Sequence, residues 1–477
     1  MALGKLRAGL AAGIALTAAP LLADDLREAL VLAYNTNPTL QAARAAQRAV
    51  DESVPIARSS GLPSVSGTAT YSEFLKSSSS NPLSPDRNLD AQANLSMPVY
   101  AGGGIRNSVR GAETRVLAGQ ADLRGVESDV FSQVVAAYMD VILGEAVVRL
   151  NRQNVGRLEV NLQATRDRFE IGDLTRTDVA QSESRLALAR GQTRSAEASL
   201  TASRERYIQV VGKAPENLVS PPALTGLPAS ADEAVDYALD HNPDLLAARD
   251  RARAAGFDTA AAGAGRLPRV SVFAGADYSD YLGSNKIPGT VQSTSSATAG
   301  VRASIPIFQG GLPAAQRRQA QAREGAAMEQ EIGTERAVIA SVRSTFAQWQ
   351  AAGELITSSQ AAVDAAELSL EGVRAENTVG NRTILDILNA ENELLNAQVQ
   401  LVTARRNAYV AGFNLLAAMG RAEARDLGLD GGALYDPQNN YDRVKGAIFD
   451  WSSDPAPIAR ATRTVDTRAQ DGSVKDK

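Results

Sequence analysis

The 477-residue chain could hold two or three ordinary domains, yet only 5% of it is aromatic and it has no cysteine. An alanine-rich interior is thin, so helices must bury one another at close range. A net charge of −5 without a long basic run excludes the clustered basic footprint of a nucleic-acid binder, and one histidine without cysteine excludes a structural zinc site.

Residues 1–23 read as a secretory signal peptide. Lys5 and Arg7 form the basic start, residues 8–22 are apolar, and cleavage is expected after Ala23. The run is short for a transmembrane helix, and no other uncharged apolar run approaches ~18 residues. The mature chain is therefore expected to lack a membrane-spanning helix, disulfides and a lipid-bearing cysteine.

The remainder is a duplication: repeat 1 over 24–212, a linker at 213–229 and repeat 2 over 230–420. EALVLAYNTNPTLQAAR (28–44) matches EAVDYALDHNPDLLAAR (233–249), and LPSVSGTA (62–69) matches LPRVSVFA (267–274). From residue 93 the offset is constant, pairing Gly172 with Gly380, Thr175 with Thr383, Asp178 with Asp386 and Glu183 with Glu391. Each repeat is expected to open with a helix of about 30 residues (25–58 and 231–262), followed by two strands. A long helix (104–170 and 312–378) leads to a glycine tip at 172 or 380. A return helix then ends at Gly212 or Gly420.

Strands are placed at about 62–75, 89–100, 267–281 and 294–308 because apolar and small polar residues alternate there. The clearest set is Ala297, Ala299, Val301, Ala303 and Ile305 against Thr298, Gly300, Arg302 and Ser304. Segments of about ten such residues suit a membrane barrel with a polar lumen; a soluble sheet packed on helices is the alternative. Four strands cannot close a barrel, and an open edge in a bilayer leaves backbone groups unsatisfied. Several chains must then share one barrel: two give eight strands, three give twelve, and only twelve leave room for a pore. The long helices would extend about 100 Å.

The strand-to-helix junctions SMPVYAGG (96–103) and SIPIFQGG (304–311) repeat one design. Pro98 and Pro306 are expected to end ladder pairing, Tyr100 and Phe308 to sit at the membrane interface, and Gly102 and Gly310 to let the backbone bend.

The stretch TVGNRTILDILNAENELLNAQ (378–398) closely resembles the signature of TolC-like outer-membrane channels, the efflux and type I secretion family. FEIGDLTRTDVAQSESRLALAR (169–190) is similar to its first-repeat counterpart. The resemblance covers about residues 24–425. It implies a mixed α and β membrane protein: a homotrimer whose twelve-stranded transmembrane β-barrel, four strands per chain, continues into a long periplasmic α-helical barrel. It also implies a periplasmic adaptor and an inner-membrane transporter of ABC or RND type as partners, with the barrel in outer-membrane lipid. Ile171, Gly172, Val379 and Gly380 fall where the family docks its adaptor. Asp386 matches an aspartate ring that narrows the tunnel, and Thr177, Asp178 and Arg382 match residues that tie neighbouring hairpins together. Two positions depart from the pattern: Asn389 replaces a second acid, and Asn377 replaces a latch tyrosine. Capping of a helix N-terminus is the alternative role for Asp178 and Asp386.

No catalytic constellation, cofactor or metal is expected. His241 reads as a surface turn residue, the serine-rich loop lacks a nucleophile elbow, and the glycine pairs lack a phosphate-cradle layout. Residues 421–451 read as an extension around the middle of the tube, and 452–477 as a disordered tail. A periplasmic coiled-coil spacer would not need the alternating strands, and a stand-alone porin would not need the long helices.

Overall fold

The computed structural model describes residues 25–76, 85–284, 288–429 and 434–474, so the expected signal segment 1–23 lies outside the described residues. Repeat 1 begins with α1 (Leu26–Thr36), α2 (Pro38–Asp51) and α3 (Ser53–Ser59). Repeat 2 begins with α6 (Ala231–His241) and α7 (Pro243–Gly263), followed by a 3₁₀ turn at Ala264–Arg266. The single opening helix expected in each repeat is thus broken at an Asn-Pro pair. Proline supplies no N–H to continue the helix and drives the preceding residue to extended geometry: Asn37 has ψ 126° and Asn242 ψ 123°.

Each of these asparagines serves two helices. The Asn37 Oδ1 accepts from Thr39 N at 2.9 Å while its Nδ2 donates to Val210 O at 2.8 Å. Asn242 repeats this, accepting from Leu245 N at 3.1 Å and donating to Ala418 O at 2.9 Å. One amide therefore caps the start of its own helix and covers a carbonyl at the end of the return helix. The return helices are α5 (Arg176–Val211) and α9 (Ile384–Met419), and their long partners are α4 (Gly104–Glu170) and α8 (Leu312–Thr378). At 67 residues each, α4 and α8 extend about 100 Å.

The four strands, β1 (Ser64–Glu73), β2 (Arg87–Tyr100), β3 (Arg269–Asp280) and β4 (Ser293–Ser304), form one antiparallel sheet in the order β1-β2-β3-β4. Its register stacks the alternating residues into rows. Val65, Leu95, Ala274 and Ala299 lie side by side on one face, and Thr68, Gln92, Asp277 and Ser296 on the other. Phe273 interrupts the polar face. Its ring lies over Gly300, where an added Cβ would sit 3.1 Å from it, and Arg302 covers it at 4.9 Å. β1 and β4 each have one strand neighbour, so both leave an open edge.

The junctions differ from expectation. β2 keeps its pairing through Pro98, opposite Ser271, and bulges before Tyr100, whereas β4 ends at Ser304, ahead of Pro306. Proline lacks the ladder N–H, so an interior strand accommodates it at a bulge and an edge strand simply stops. After both junctions the chain bends through left-handed glycines, Gly102 (φ 61°) and Gly103 (φ 80°), then Gly310 (φ 60°) and Gly311 (φ 83°). Tyr100 and Phe308 are both exposed.

The main core lies mid-length, where α1, α4, α5, the end of α9 and the start of the C-terminal extension meet around Phe131, Tyr138, Tyr207 and Phe413. One 18-residue stretch of α4 is apolar enough by composition to cross a membrane, a pattern that the core helix of a packed bundle shares. Nearly half of it (44%) is buried inside the fold. The linker is strapped to α4 by Tyr138, whose hydroxyl donates to Val219 O at 2.7 Å. In the extension, α10 (Pro437–Val444) meets α2 through Asn440 Nδ2 and the buried Asp51, 2.7 Å apart. Of the final segment, expected to be disordered, the described residues 452–474 are irregular but pinned near their end. Arg204 donates to Asp471 O (2.7 Å) and Ser473 O (2.8 Å), and Gln470 N donates to Glu205 (2.9 Å). Its backbone carbonyls find guanidinium donors on α5, a pairing that polar composition does not reveal.

Candidate functional site

The two helical tips are geometric copies. At the end of α4, Gly172 N donates to Phe169 O (3.0 Å) and Asp173 N to Arg168 O (2.9 Å). At the end of α8, Gly380 N donates to Asn377 O and Asn381 N to Glu376 O, both at 3.0 Å. This paired pattern requires a left-handed residue, and both glycines have φ 83°. A Cβ added at either glycine would meet no atom within 4 Å, and Ile171 and Val379 beside them are 80% and 71% exposed. Each tip thus presents one apolar side chain to the medium at the far end of a helical pair.

The return helices start with identical capping boxes. Asp178 Oδ2 accepts from Thr175 N (2.9 Å) and Thr175 Oγ1 (2.7 Å), and Asp178 N donates to Thr175 Oγ1 (3.3 Å). Asp386 and Thr383 repeat all three bonds at the same lengths. Both aspartates therefore act as helix caps. Bonds from the Thr175 side chain and backbone hold the Asp178 carboxyl below its ordinary range. The Thr383 backbone and side chain, aided by Arg382, do the same for Asp386. Both carboxylates are charged at neutral pH, so capping and a role as a fixed negative charge are compatible.

The other expected tie residues are not brought together within one chain. Arg382 Nε donates to Glu376 of its own hairpin at 2.7 Å rather than to Thr177 or Asp178. Thr177 is exposed on the first turn of α5. Asn377, in place of the latch tyrosine, donates to Arg382 O (2.7 Å) and receives Arg168 Nη1 at 3.5 Å. Asn389, in place of the second acid, accepts from Arg185 at 2.8 Å.

Near the tips, links that cross between hairpins run through Arg168 and Arg185, which sequence reasoning missed. It also missed Glu391, whose side chain is 1% exposed and accepts from Arg374 and Asn161, both at 2.8 Å. A signal existed: the Arg374–Glu391 pair recurs as Arg166–Glu183 in the first repeat. Among the described residues no group of three or more His, Cys, Asp or Glu is placed to hold a metal ion.

Comparison with known proteins agrees with this geometry. The family described as "Outer membrane efflux protein" matches residues 29–213 and 234–421, one match per repeat. The chain is 35% identical over 442 residues to the outer membrane efflux protein BepC of Brucella suis, covering 92% of this chain and 94% of the relative. It is 28% identical over 464 residues to the outer membrane protein TolC of Escherichia coli, covering 92% and 93%. Among solved structures, the Campylobacter jejuni CmeC outer membrane channel superposes with a TM-score of 0.75 at 16% identity, over 88% of this chain and 89% of that one. The Vibrio cholerae outer membrane protein VceC superposes with a TM-score of 0.72 at 22% identity, over 83% and 96%. The fold is that of these channels, a β domain continued by a helical barrel, and its place is the outer membrane. With a family match over most of both repeats and a relative above 30% identity along nearly its whole length, the chain belongs to the outer membrane efflux protein family.

Proposed function

We propose that three copies of the chain form a passive efflux duct, a twelve-stranded barrel in the outer membrane continued by a helical tunnel through the periplasm. The open edges of β1 and β4 carry this reading. In lipid an unpaired edge is prohibitive, and because consecutive strands alternate in direction, β4 of one chain can pair antiparallel with β1 of the next. Three chains give the smallest barrel with room for a pore.

The tunnel end at the tips is the gate. Asp386 from three chains forms one ring of negative charge. Repulsion of a few kcal/mol per pair at ~4 Å and an effective dielectric of ~20 favours cations there. The exposed Ile171 and Val379, each beside its glycine turn, form the docking points for a periplasmic adaptor. The adaptor in turn joins the duct to an inner-membrane transporter of ABC or RND type, which supplies the energy. Small-molecule efflux is favoured over protein secretion as the work of this duct, since the 35%-identical relative is named for efflux. The alkaline protease secretion protein AprF of Pseudomonas aeruginosa is 25% identical.

The test is extraction from outer membranes in detergent. The expected result is a heat-modifiable trimer that forms low-conductance, cation-preferring channels in planar bilayers. A monomer recovered from the soluble periplasmic fraction overturns the proposal.

A further inference from the structure

The C-terminal extension climbs the helices toward the sheet. Ala424 is fastened at Glu127 of α4, and Gln438 Nε2 donates to Gln120 at 3.1 Å. Tyr441 packs on the cluster of Val54, Ala112 and Val116, and Arg58 Nη1 donates to Lys445 O at 3.1 Å. Each successive contact lies nearer the start of α4 and the end of α3. Gly61, just after α3, sits against Ile105 in the first turn of α4, and β1 begins at Ser64. Arg58 is three residues short of that level, or about 5 Å along the helix axis.

Beyond Lys445 the chain makes a short loop. Its base is closed by Arg443 of α10, which donates to both oxygens of Asp454 at 2.8 and 3.0 Å. Its tip is turned by Ser452 N donating to Phe449 O at 3.1 Å. That tip carries Ile448, Phe449 and Trp451, which are 72%, 71% and 87% exposed. Three large apolar side chains in one turn are unfavourable in water, and such a patch marks a contact with protein or membrane. The two-bonded ion pair, with Asn440 held by the buried Asp51, fixes the loop in place before any contact is made.

We propose that residues 448–451 form a foot that rests in the phospholipid headgroups of the periplasmic leaflet, beside the barrel. The proposal rests on the membrane-crossing sheet of the duct proposed above. Position carries it: the loop leaves α3 just below the strand-to-helix junction, where Tyr100 is also exposed, so the patch continues the boundary between sheet and helices. The headgroup layer is about 5–8 Å deep on each side of the hydrocarbon, within reach of a loop rising from the level of Arg58. Tryptophan and its apolar neighbours suit that layer, and Asp450 between them keeps the tip out of the hydrocarbon. Arg443 and Lys445 are paired with Asp454 and Asp442, which leaves Arg58 as the guanidinium offered to lipid phosphate. In a trimer, three such feet brace the tube against tilting.

The chain has two tryptophans, Trp349 and Trp451. Trp349→Phe leaves Trp451 as the reporter in the full-length protein, and Trp451→Phe leaves Trp349, packed against Gly412, as the control. Both variants are reconstituted into vesicles of phosphatidylethanolamine and phosphatidylglycerol, with or without phosphatidylcholine brominated near the headgroup end of its acyl chains. Brominated vesicles should cut Trp451 emission about twofold and leave that of Trp349 nearly unchanged. Ile448→Glu with Phe449→Glu, added to Trp349→Phe, should abolish this quenching and leave the heat-modifiable trimer intact. Trp451 emission quenched by aqueous acrylamide but not by brominated lipid overturns the proposal. So does a Trp451 shielded from both, which assigns the loop to a protein contact, and so does quenching that survives the two glutamates. Protein that does not float with the vesicles overturns the duct reading and this proposal with it. Flotation is scored before the fluorescence, so the two failures are separable.

Discussion

The backbone N–H of Ala424 donates to Glu127 Oε1 across 2.5 Å, fastening the start of the C-terminal extension to the middle of α4. Burial dominates the Glu127 carboxyl and pushes its pKa up to about 7; the bond from Ala424 opposes the shift, and nearby Glu423 adds to it. The folded value lies above the unfolded one, so folding is favoured most when Glu127 is protonated in both states. That contribution fades as pH rises through about 7. A shift of this size corresponds to roughly 3 kcal/mol. Glu127→Gln keeps an acceptor for Ala424 and cannot ionise. Its thermal midpoint in detergent should exceed that of the parent at pH 8.5, and the gap should close toward pH 4.5. A gap that is constant across this range would show that Glu127 does not titrate there.

Asn242 supplies an acceptor to Leu245 N and a donor to Ala418 O, and it is buried. Asn242→Asp keeps the acceptor but turns a carboxylate oxygen toward the Ala418 carbonyl. Losing a buried donor and opposing two acceptors should destabilise the protein by about 2 kcal/mol, with the loss shrinking as acid protonates the aspartate. Denaturant midpoints at two pH values measure this directly.

Left-handed glycines are not equivalent along the chain. At Gly380 a Cβ meets open space, whereas at Gly420 it would lie 2.5 Å from His241 O and 2.9 Å from the carbonyl carbon. Gly380→Ala should therefore cost only the backbone strain of about 1–2 kcal/mol. Gly420→Ala should cost more, because the Asn-Pro break between α6 and α7 must move. Equal losses in thermal stability for the two variants would refute this ordering.

Asp386 caps α9 and carries the fixed charge that the proposed gate requires, and two substitutions separate these roles. Asp386→Asn keeps an acceptor for Thr383 N and removes the charge, while Thr383→Ala removes a cap and keeps the charge. In planar bilayers Asp386→Asn should weaken cation preference and divalent-cation block, with little change in amide exchange at the tip. Thr383→Ala should speed exchange by about fivefold, as expected for a lost cap of about 1 kcal/mol, and leave selectivity intact. Selectivity unchanged in Asp386→Asn removes Asp386 from the gate.

Much of this architecture was written locally. Alternation with a period of two set which residues share a face of the sheet, as in the row Val65, Leu95, Ala274 and Ala299. Glycine followed three residues later by Thr-x-x-Asp specified both the tip turn and the capping box, because those bonds lie within a few residues of each other. The breaks at Asn37 and Asn242 were equally local, since each Asn-Pro pair ends one helix and caps the next. What no local pattern could settle was environment. Glu183 and Glu391 occupy matching positions and pair with matching arginines, yet only Glu391 is enclosed, because α4 lies over it from more than two hundred residues away. The raised pKa of Glu127 and the anchoring of residues 470–474 have the same origin. Periodicity and turn chemistry act over a few bonds along the chain. Burial depends on which distant element arrives to exclude water, and that is decided only when the helices pack.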